Sequence, residues 1–325
     1  MRLPKFKYAE PKSIQETSSI LLDHPEAKIL AGGTDLLVNM KHRVETPSFL
    51  VSIKRISGLD FTEQKNGALR IGALASLKRI YGNPVIREKV PGLSLAASSV
   101  GSYHHQTMGT LGGNICQQNR CKYFNQSKWW RSSRPLCFKA GGETCYVVNK
   151  KSVCYSSYCG DVAPVLIALD ARVILESKKA RREISLETFF SGNGKNPLDL
   201  KTGEILTEAV IPQEALDGFS TYVKFANRNS IDFPIAGMGT WVSMKKKEVR
   251  VSFTAVDRKP VRAKRVEKFL SGKDLDEQAL EEVVNIAAKE ATPVKTSVYS
   301  PSYKRRMMGL LLKSALTEVA GRKRS

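Results

Sequence analysis

Six cysteines, Cys116, Cys121, Cys137, Cys145, Cys154 and Cys159, fall between residues 116 and 159, and the rest of the 325-residue chain has none. This clustering limits the fold more than any other feature. The segment has weak periodicity for helix or strand. A stretch of this length without regular structure needs something to hold it together. A metal site supplies such a crosslink, because ligand bonds offset the cost of ordering the chain. Three disulfides would also do so, but the N-terminus MRLPKFKYAEPKS has no apolar stretch behind it. With no secretory signal, a cytoplasmic protein with reduced thiols is expected. No run approaches the roughly 18 apolar residues of a membrane span.

The intervals Cys121-x15-Cys137-x7-Cys145-x8-Cys154 do not match zinc's paired clips. Nor do they match the compact run of bacterial ferredoxins. Four thiolates at wide spacing suit a [4Fe–4S] cluster or a tetrahedral structural zinc, and spacing alone leaves both open. Cys116 and Cys159 lie five residues outside this set on either side, so chemistry alone does not exclude them. Trp129 and Trp130 fall inside the segment and read either as a shield for the metal site or as ordinary core.

Around the cysteines the chain reads as two α/β units followed by an α+β unit, with expected boundaries of 1–55, 56–215 and 216–325. Ser13 and Glu16 resemble a capping box ahead of a helix. A strand at 28–30 runs into AGGTDLL, and another is expected at 48–53. In the second unit a strand at 68–71, helices at 76–80 and 91–100, and a polar loop at 101–114 precede the cysteines. A helix from Asp161 through Pro164 and a strand at 171–175 follow, then a turn-rich connection at 192–203. The third unit has strands at 219–225, 238–244 and 249–255, with a charged turn at Lys245–Lys247. Helices are expected there at 262–270, 276–291 and 303–319.

Two glycine-rich segments carry the candidate ligand chemistry. In AGGTDLL, Gly32 and Gly33 can expose consecutive backbone N–H groups, Thr34 adds a hydroxyl, and Asp35 can cap the next helix. GTLGGN repeats the theme, with Gly112 and Gly113 permitting close approach and Asn114 able to donate and accept. Each suits an anion nest, and each also suits a plain tight turn. Neither matches GxGxxG or a P-loop. Together, in successive α/β units, they point to a dinucleotide held between the units. The balance of 52 Lys+Arg against 31 Asp+Glu, net +21, favours anionic partners. Nucleic acid is disfavoured, because the basic residues are dispersed and no zinc-finger or aromatic RNA-binding motif organises them.

These loops, with YCGDVAP around Asp161, KFANRNSIDFPIAG from Lys224 and PSYKRRMMGLLLKSAL near the end, resemble the molybdenum hydroxylase branch of the vanillyl-alcohol-oxidase-like flavoproteins over nearly the whole chain. The resemblance implies an α+β protein, with a two-part FAD-binding fold and a C-terminal α+β domain. It implies that Ala31, Gly32, Gly33, Thr34, Asp35 and Leu36, with Gly109, Thr110, Gly112, Gly113 and Asn114, cradle the FAD pyrophosphate. Asp161 would contact the adenosine side and Lys224 would lie near the flavin ring. Many relatives have an arginine where this chain has Gln106, preceded by His104 and His105. That departure leaves one flavin-edge contact open.

The segment NICQQNRCKYFNQSKWWR and the cysteines after it resemble the insert of the FAD subunits of 4-hydroxybenzoyl-CoA reductases. The resemblance implies a surface lobe at 116–159 over the second unit. It implies a [4Fe–4S] cluster on Cys121, Cys137, Cys145 and Cys154, with Cys116 and Cys159 non-ligating. It further implies an electron-transfer subunit between an acidic ferredoxin, a small subunit with [2Fe–2S] clusters and a large molybdopterin subunit, in a dimer of heterotrimers. Substrate chemistry would lie in the large subunit, so no catalytic residue is expected here. The same subunit could serve a hydroxylase for an aldehyde, a purine or another aromatic CoA thioester. A zinc-stabilised nucleic-acid-binding protein is the more distant alternative.

Overall fold

Helix Ile14–Asp23 begins at the expected cap: the Glu16 N–H donates to Ser13 Oγ at 3.1 Å. The Glu16 carboxylate reaches back to the Lys12 N–H at 2.8 Å, one residue beyond the usual box. This helix and Leu36–Lys41 accompany a parallel three-stranded sheet ordered Lys7–Ala9, Phe49–Ser52, Lys28–Leu30. The computed structural model describes residues 2–321. Residue 1 and residues 322–325 of the expected terminal domains lie outside the described residues.

The second unit departs from the α/β expectation. Its five-stranded sheet runs Thr62–Lys65, Ala68–Gly72, Ile205–Ile211, Arg172–Glu176, Arg181–Ser185, and every pairing is antiparallel. The middle strand, Ile205–Ile211, arrives from beyond the cysteine segment and escaped the sequence reading. Its alternation is masked because the polar Thr207 and Glu208 are both buried. Glu208 accepts from Arg70 Nε at 2.9 Å and from Arg181 at 3.2 Å, so its charge is paired across the sheet. Helices Leu77–Gly82, Pro91–Ser98 and Val162–Ala168 contribute to the core of this unit.

The third unit is an antiparallel sheet of Phe219–Phe225, Ala236–Ser243, Glu248–Thr254 and Val261–Arg262. Lys264–Leu270, Glu277–Ala287 and Pro301–Gly321 build a core on one face. The helix expected to reach residue 291 stops at Ala287. On the other face Val162–Ala168 lies so close that a Cβ on Gly239 would meet Val165 Cα at 2.4 Å. Buried Trp241 donates its indole N–H to the Ala215 carbonyl at 2.8 Å. The C-terminal unit is thus packed closely onto the second unit at these points. No described helix is long and apolar enough to cross a membrane.

Candidate functional site

The two glycine segments are packed against each other. A Cβ on Gly32 would fall 2.0 Å from the Met108 carbonyl oxygen and 2.9 Å from Gly109 Cα. Glycine is required there because two backbones touch, a reason invisible to the sequence reading. Gly33, at φ 75°, turns the chain from strand Lys28–Leu30 toward helix Leu36–Lys41. Ala31 through Leu36 then form one wall of a cleft of about 800 Å³, and Gly109, Thr110, Gly112, Gly113 and Asn114 form the adjoining wall. That volume lies within the ordinary range for ligand pockets.

The second segment works differently from the expected N–H nest. It is a pair of short helices, Tyr103–Met108 and Leu111–Ile115, rather than a loop. Its N–H groups are engaged: Leu111 with Ala75 O at 3.0 Å, Gly112 with Ala73 O at 2.9 Å, and Gly113 with Thr110 Oγ1 at 3.1 Å. Gly112 and Gly113 therefore give closeness rather than free donors. Asn114 Oδ1 accepts from the Val162 N–H at 3.2 Å, which joins this wall to helix Val162–Ala168. Gln106 is structural, its amide donating to Ser98 O and Val100 O at 2.7 and 3.1 Å. His105 lines the cleft and His104 is exposed.

Asp35 sits at the N-terminus of helix Leu36–Lys41 but makes no side-chain cap. Its carboxylate is taken by Arg120 and by the Gln118 N–H at 3.2 Å. A long-range ion pair has replaced the local cap expected from sequence. Asp161 lines the cleft, and Lys224 pairs with it at 3.1 Å while donating to Ser99 O at 2.9 Å. The resemblance set these two at opposite ends of a dinucleotide, whereas the fold makes them neighbours. The Tyr222 hydroxyl also donates to Asp161, at 2.7 Å. Burial pushes the Asp161 carboxyl above its ordinary range, against the opposing pull of Lys224 and Tyr222.

Several cleft residues escaped the sequence reading. Leu198 and Leu200 to Leu206 close one side, from the end of the segment read as a turn-rich connection and the start of the strand that follows it. Ile231, Asp232 and Phe233 close another, from the C-terminal unit. Gln117, Gln118 and Arg120 enter from the start of the cysteine segment. The only available signal was KFANRNSIDFPIAG, which contains residues 231–233.

Residues 117–156 carry little regular backbone: helix Lys128–Ser132, a 3-10 turn Phe138–Ala140 and the paired strands Thr144–Cys145 and Lys150–Lys151. Yet Cys121, Cys137, Cys145 and Cys154 are all buried and line one small void. Tyr123, Phe124, Phe138, Lys139 and Tyr146 complete its wall. Burial pushes the Cys121 thiol up and lowers the Lys139 ammonium. Trp129 is 79% exposed, and neither tryptophan lines the void, whose aromatic wall is tyrosine and phenylalanine. Cys116 lies apart, in the cleft wall, with burial pushing its thiol up to about 12. Cys159 is buried elsewhere, its thiol facing Ser157 O at 3.6 Å and pushed up to about 11 by burial. All six are free thiols. Among the described residues, no three His, Cys, Asp or Glu side chains converge tightly enough for a single metal ion.

Comparison with known proteins gives this geometry a context. Residues 4–214 match the FAD binding domain in molybdopterin dehydrogenase, and residues 221–319 match the CO dehydrogenase flavoprotein C-terminal domain. The chain is 26% identical to the glyceraldehyde dehydrogenase medium chain of Sulfolobus acidocaldarius, covering 98% of this chain and 99% of that one. It is 28% identical to the nicotinate dehydrogenase FAD-subunit of Eubacterium barkeri, covering 86% and 84%. Quinoline 2-oxidoreductase from Pseudomonas putida 86 shares the fold, with TM-score 0.80 at 24% identity over 99% of both chains.

Proposed function

The chain belongs to the FAD-binding subunits of the molybdenum hydroxylase family, and from that premise we propose that it is the electron-transfer flavoprotein subunit of a heteromeric molybdenum enzyme. The observation that carries the reading is the meeting of the two glycine segments on one cleft. The cleft would take FAD with Gly33 and Gly113 keeping its walls free of side chains and Lys28 and Lys201 supplying positive charge along it. Residues Ala31 to Leu36 would hold the pyrophosphate, and Asp161, fixed by Tyr222 and Lys224, would hold one polar edge. When bound, FAD exchanges electrons in ones or twos, which lets it link carriers of different kinds. This chain's own part is to bind, orient and shield it. Acid denaturation of the purified protein should release one FAD per chain; FMN, no flavin or a covalent adduct would overturn the reading.

The cysteine site supports a finer proposal. Four buried thiols around one void form a donor set for a [4Fe–4S] cluster, which takes four thiolates. The same four thiolates would also serve a single tetrahedral zinc. Cys116 and Cys159, both away from the void, would not ligate. Iron and acid-labile sulfide in stoichiometric amounts test this directly; stoichiometric zinc without sulfide would sink it.

The partners would be a molybdopterin-containing large subunit and a small subunit with [2Fe–2S] clusters, in a dimer of heterotrimers, with an acidic ferredoxin as electron carrier. The net charge of +21 supports steering of such a carrier. For the substrate of the complex, the relatives favour the broader alternative. They are named for glyceraldehyde and nicotinate, whereas 4-hydroxybenzoyl-CoA rests on the resemblance of the cysteine segment alone. Assaying the assembled complex with aldehydes, purines and aromatic CoA thioesters separates these readings. The isolated chain should reduce only artificial dyes, and substrate turnover by it alone would refute the subunit assignment.

A further inference from the structure

We propose that Arg120 is a positioning residue that couples FAD binding in the cleft to occupancy of the four-cysteine site. The inference rests on the cluster reading above. Arg120 immediately precedes Cys121, and its backbone is held on both sides. Its N–H donates to Ser157 O at 2.7 Å, and its carbonyl accepts from the Ser157 N–H at 2.9 Å. A shift of Cys121 is therefore passed to the Arg120 backbone rather than absorbed by a slack loop.

From that anchor the side chain crosses into the cleft. Its Nη2 pairs with Asp35 Oδ1, and its Nη1 donates to Asn39 Oδ1 at 3.3 Å. Its guanidinium carbon lies 4.3 Å from the centre of the Phe233 ring. Asp35 belongs to the segment proposed to hold the FAD pyrophosphate, and Phe233 belongs to the C-terminal unit. The pair is well shielded, with Arg120 at 19% and Asp35 at 23% side-chain exposure. Arg120 Nε is buried and makes no hydrogen bond. One side chain thus joins the cysteine lobe, the first FAD wall and the C-terminal unit. A shielded ion pair does not slip easily, because parting its members leaves each charge uncompensated.

The coupling follows from ordering. With a cluster in place, Cys121 is fixed, Arg120 is fixed, and the Asp35 segment is held ready for FAD. Without the cluster the Asp35 segment keeps its packing but loses a fully fixed Arg120 tether, so FAD binding must also fix that side chain and is weakened. Linkage makes the effect reciprocal, so bound FAD strengthens retention of the cluster by the same factor.

The test uses the full chain, purified anaerobically and stripped of FAD, with the cluster either kept or removed by oxidative chelation. FAD is then titrated by fluorescence quenching. In the wild type, cluster removal should raise the FAD Kd by about tenfold, within the usual span of coupling between two sites. In Arg120→Met the ratio should fall below about twofold, near the limit of additivity for uncoupled changes. Arg120→Lys, which keeps charge but loses the planar fork, should fall between them. Should Arg120→Met fail to fold, Phe233→Leu removes the stacking partner; it also alters the cleft wall in both states, so the ratio between them still reads the coupling and should fall. Equal Kd values in the two wild-type states, or an undiminished ratio in Arg120→Met, would overturn the coupling while the cluster stands. Wild-type protein without iron and sulfide would instead overturn the cluster reading, and the coupling with it.

Discussion

The glycine-walled cleft and the cysteine lobe are held together in opposite ways. The second cleft wall is carried by elements sunk in an extensive core, while the first rests on smaller cores around Val51 and Ile53. Gly32 and Gly109 sit where backbones touch, and the N–H groups of Gly109, Gly112 and Gly113 are already bonded to His105 O, Ala73 O and Thr110 Oγ1. The lobe has a core of only Cys121, Phe124 and Cys137, with Val44, Tyr123, Ala140 and Val147 packed around it. Two strands of two residues each are its whole sheet, and Asn149 and Ser152 adopt positive φ without glycine's freedom. Yet it places four thiols around one void. Burial energy can define the cleft before any ligand arrives, whereas on the proposed reading ligand bonds offset the lobe's ordering cost.

That contrast is open to experiment. The largest effect should come from individual Cys→Ser changes. Cys121, Cys137, Cys145 and Cys154 variants should lose the cluster outright or yield unstable protein, while Cys116→Ser and Cys159→Ser keep full iron and sulfide. Iron loss on replacing either of the latter two would show that the ligand set is wrong. Chelating the iron from wild-type protein should come next in size. Hydrogen exchange across 121–154 should then approach the rate of unstructured chain, while strand Ile205–Ile211 and helix Val162–Ala168 stay protected. Uniform loss of protection would erase the distinction between the two regions.

A smaller effect is expected on the cleft side. Gly32→Val drives a side chain into the Met108 carbonyl and should cost about 1–3 kcal/mol, the usual range for overpacking. Flavin content should fall with it, while cysteine-bound iron falls only as far as the Arg120 coupling requires. Unchanged flavin content and melting temperature would show that the two glycine walls need not touch. The smallest effect concerns pH. Because burial raises the Asp161 carboxyl, its contribution to stability is full below the ordinary carboxylate range and fades as pH rises through the raised value. Asp161→Asn removes that titration, so its melting temperature relative to wild type should improve from the acid range toward neutrality. A difference independent of pH would show that the carboxyl titrates normally.

Much of this was legible in the chain itself. The cysteine cluster marked a segment with little regular backbone, and AGGTDLL and GTLGGN marked two segments that line one cleft, because each depends on residue types with unusual local chemistry. Helix starts such as Ser13 and the turn at Lys245–Lys247 were equally local and equally readable. Strand Ile205–Ile211 was not, since its buried Glu208 is tolerated only because Arg70 and Arg181 reach it from other strands. The same holds for Asp35, whose local role as a cap yields to Arg120, and for Lys224, drawn to Asp161 from another unit. Sequence by itself determined which residues could bind phosphate or iron, because that follows from functional groups and backbone freedom. Only the tertiary structure decided which of them face one void or one cleft. Ion pairs and backbone contacts between distant segments form once packing has brought them within a few ångströms, and no local pattern encodes that approach.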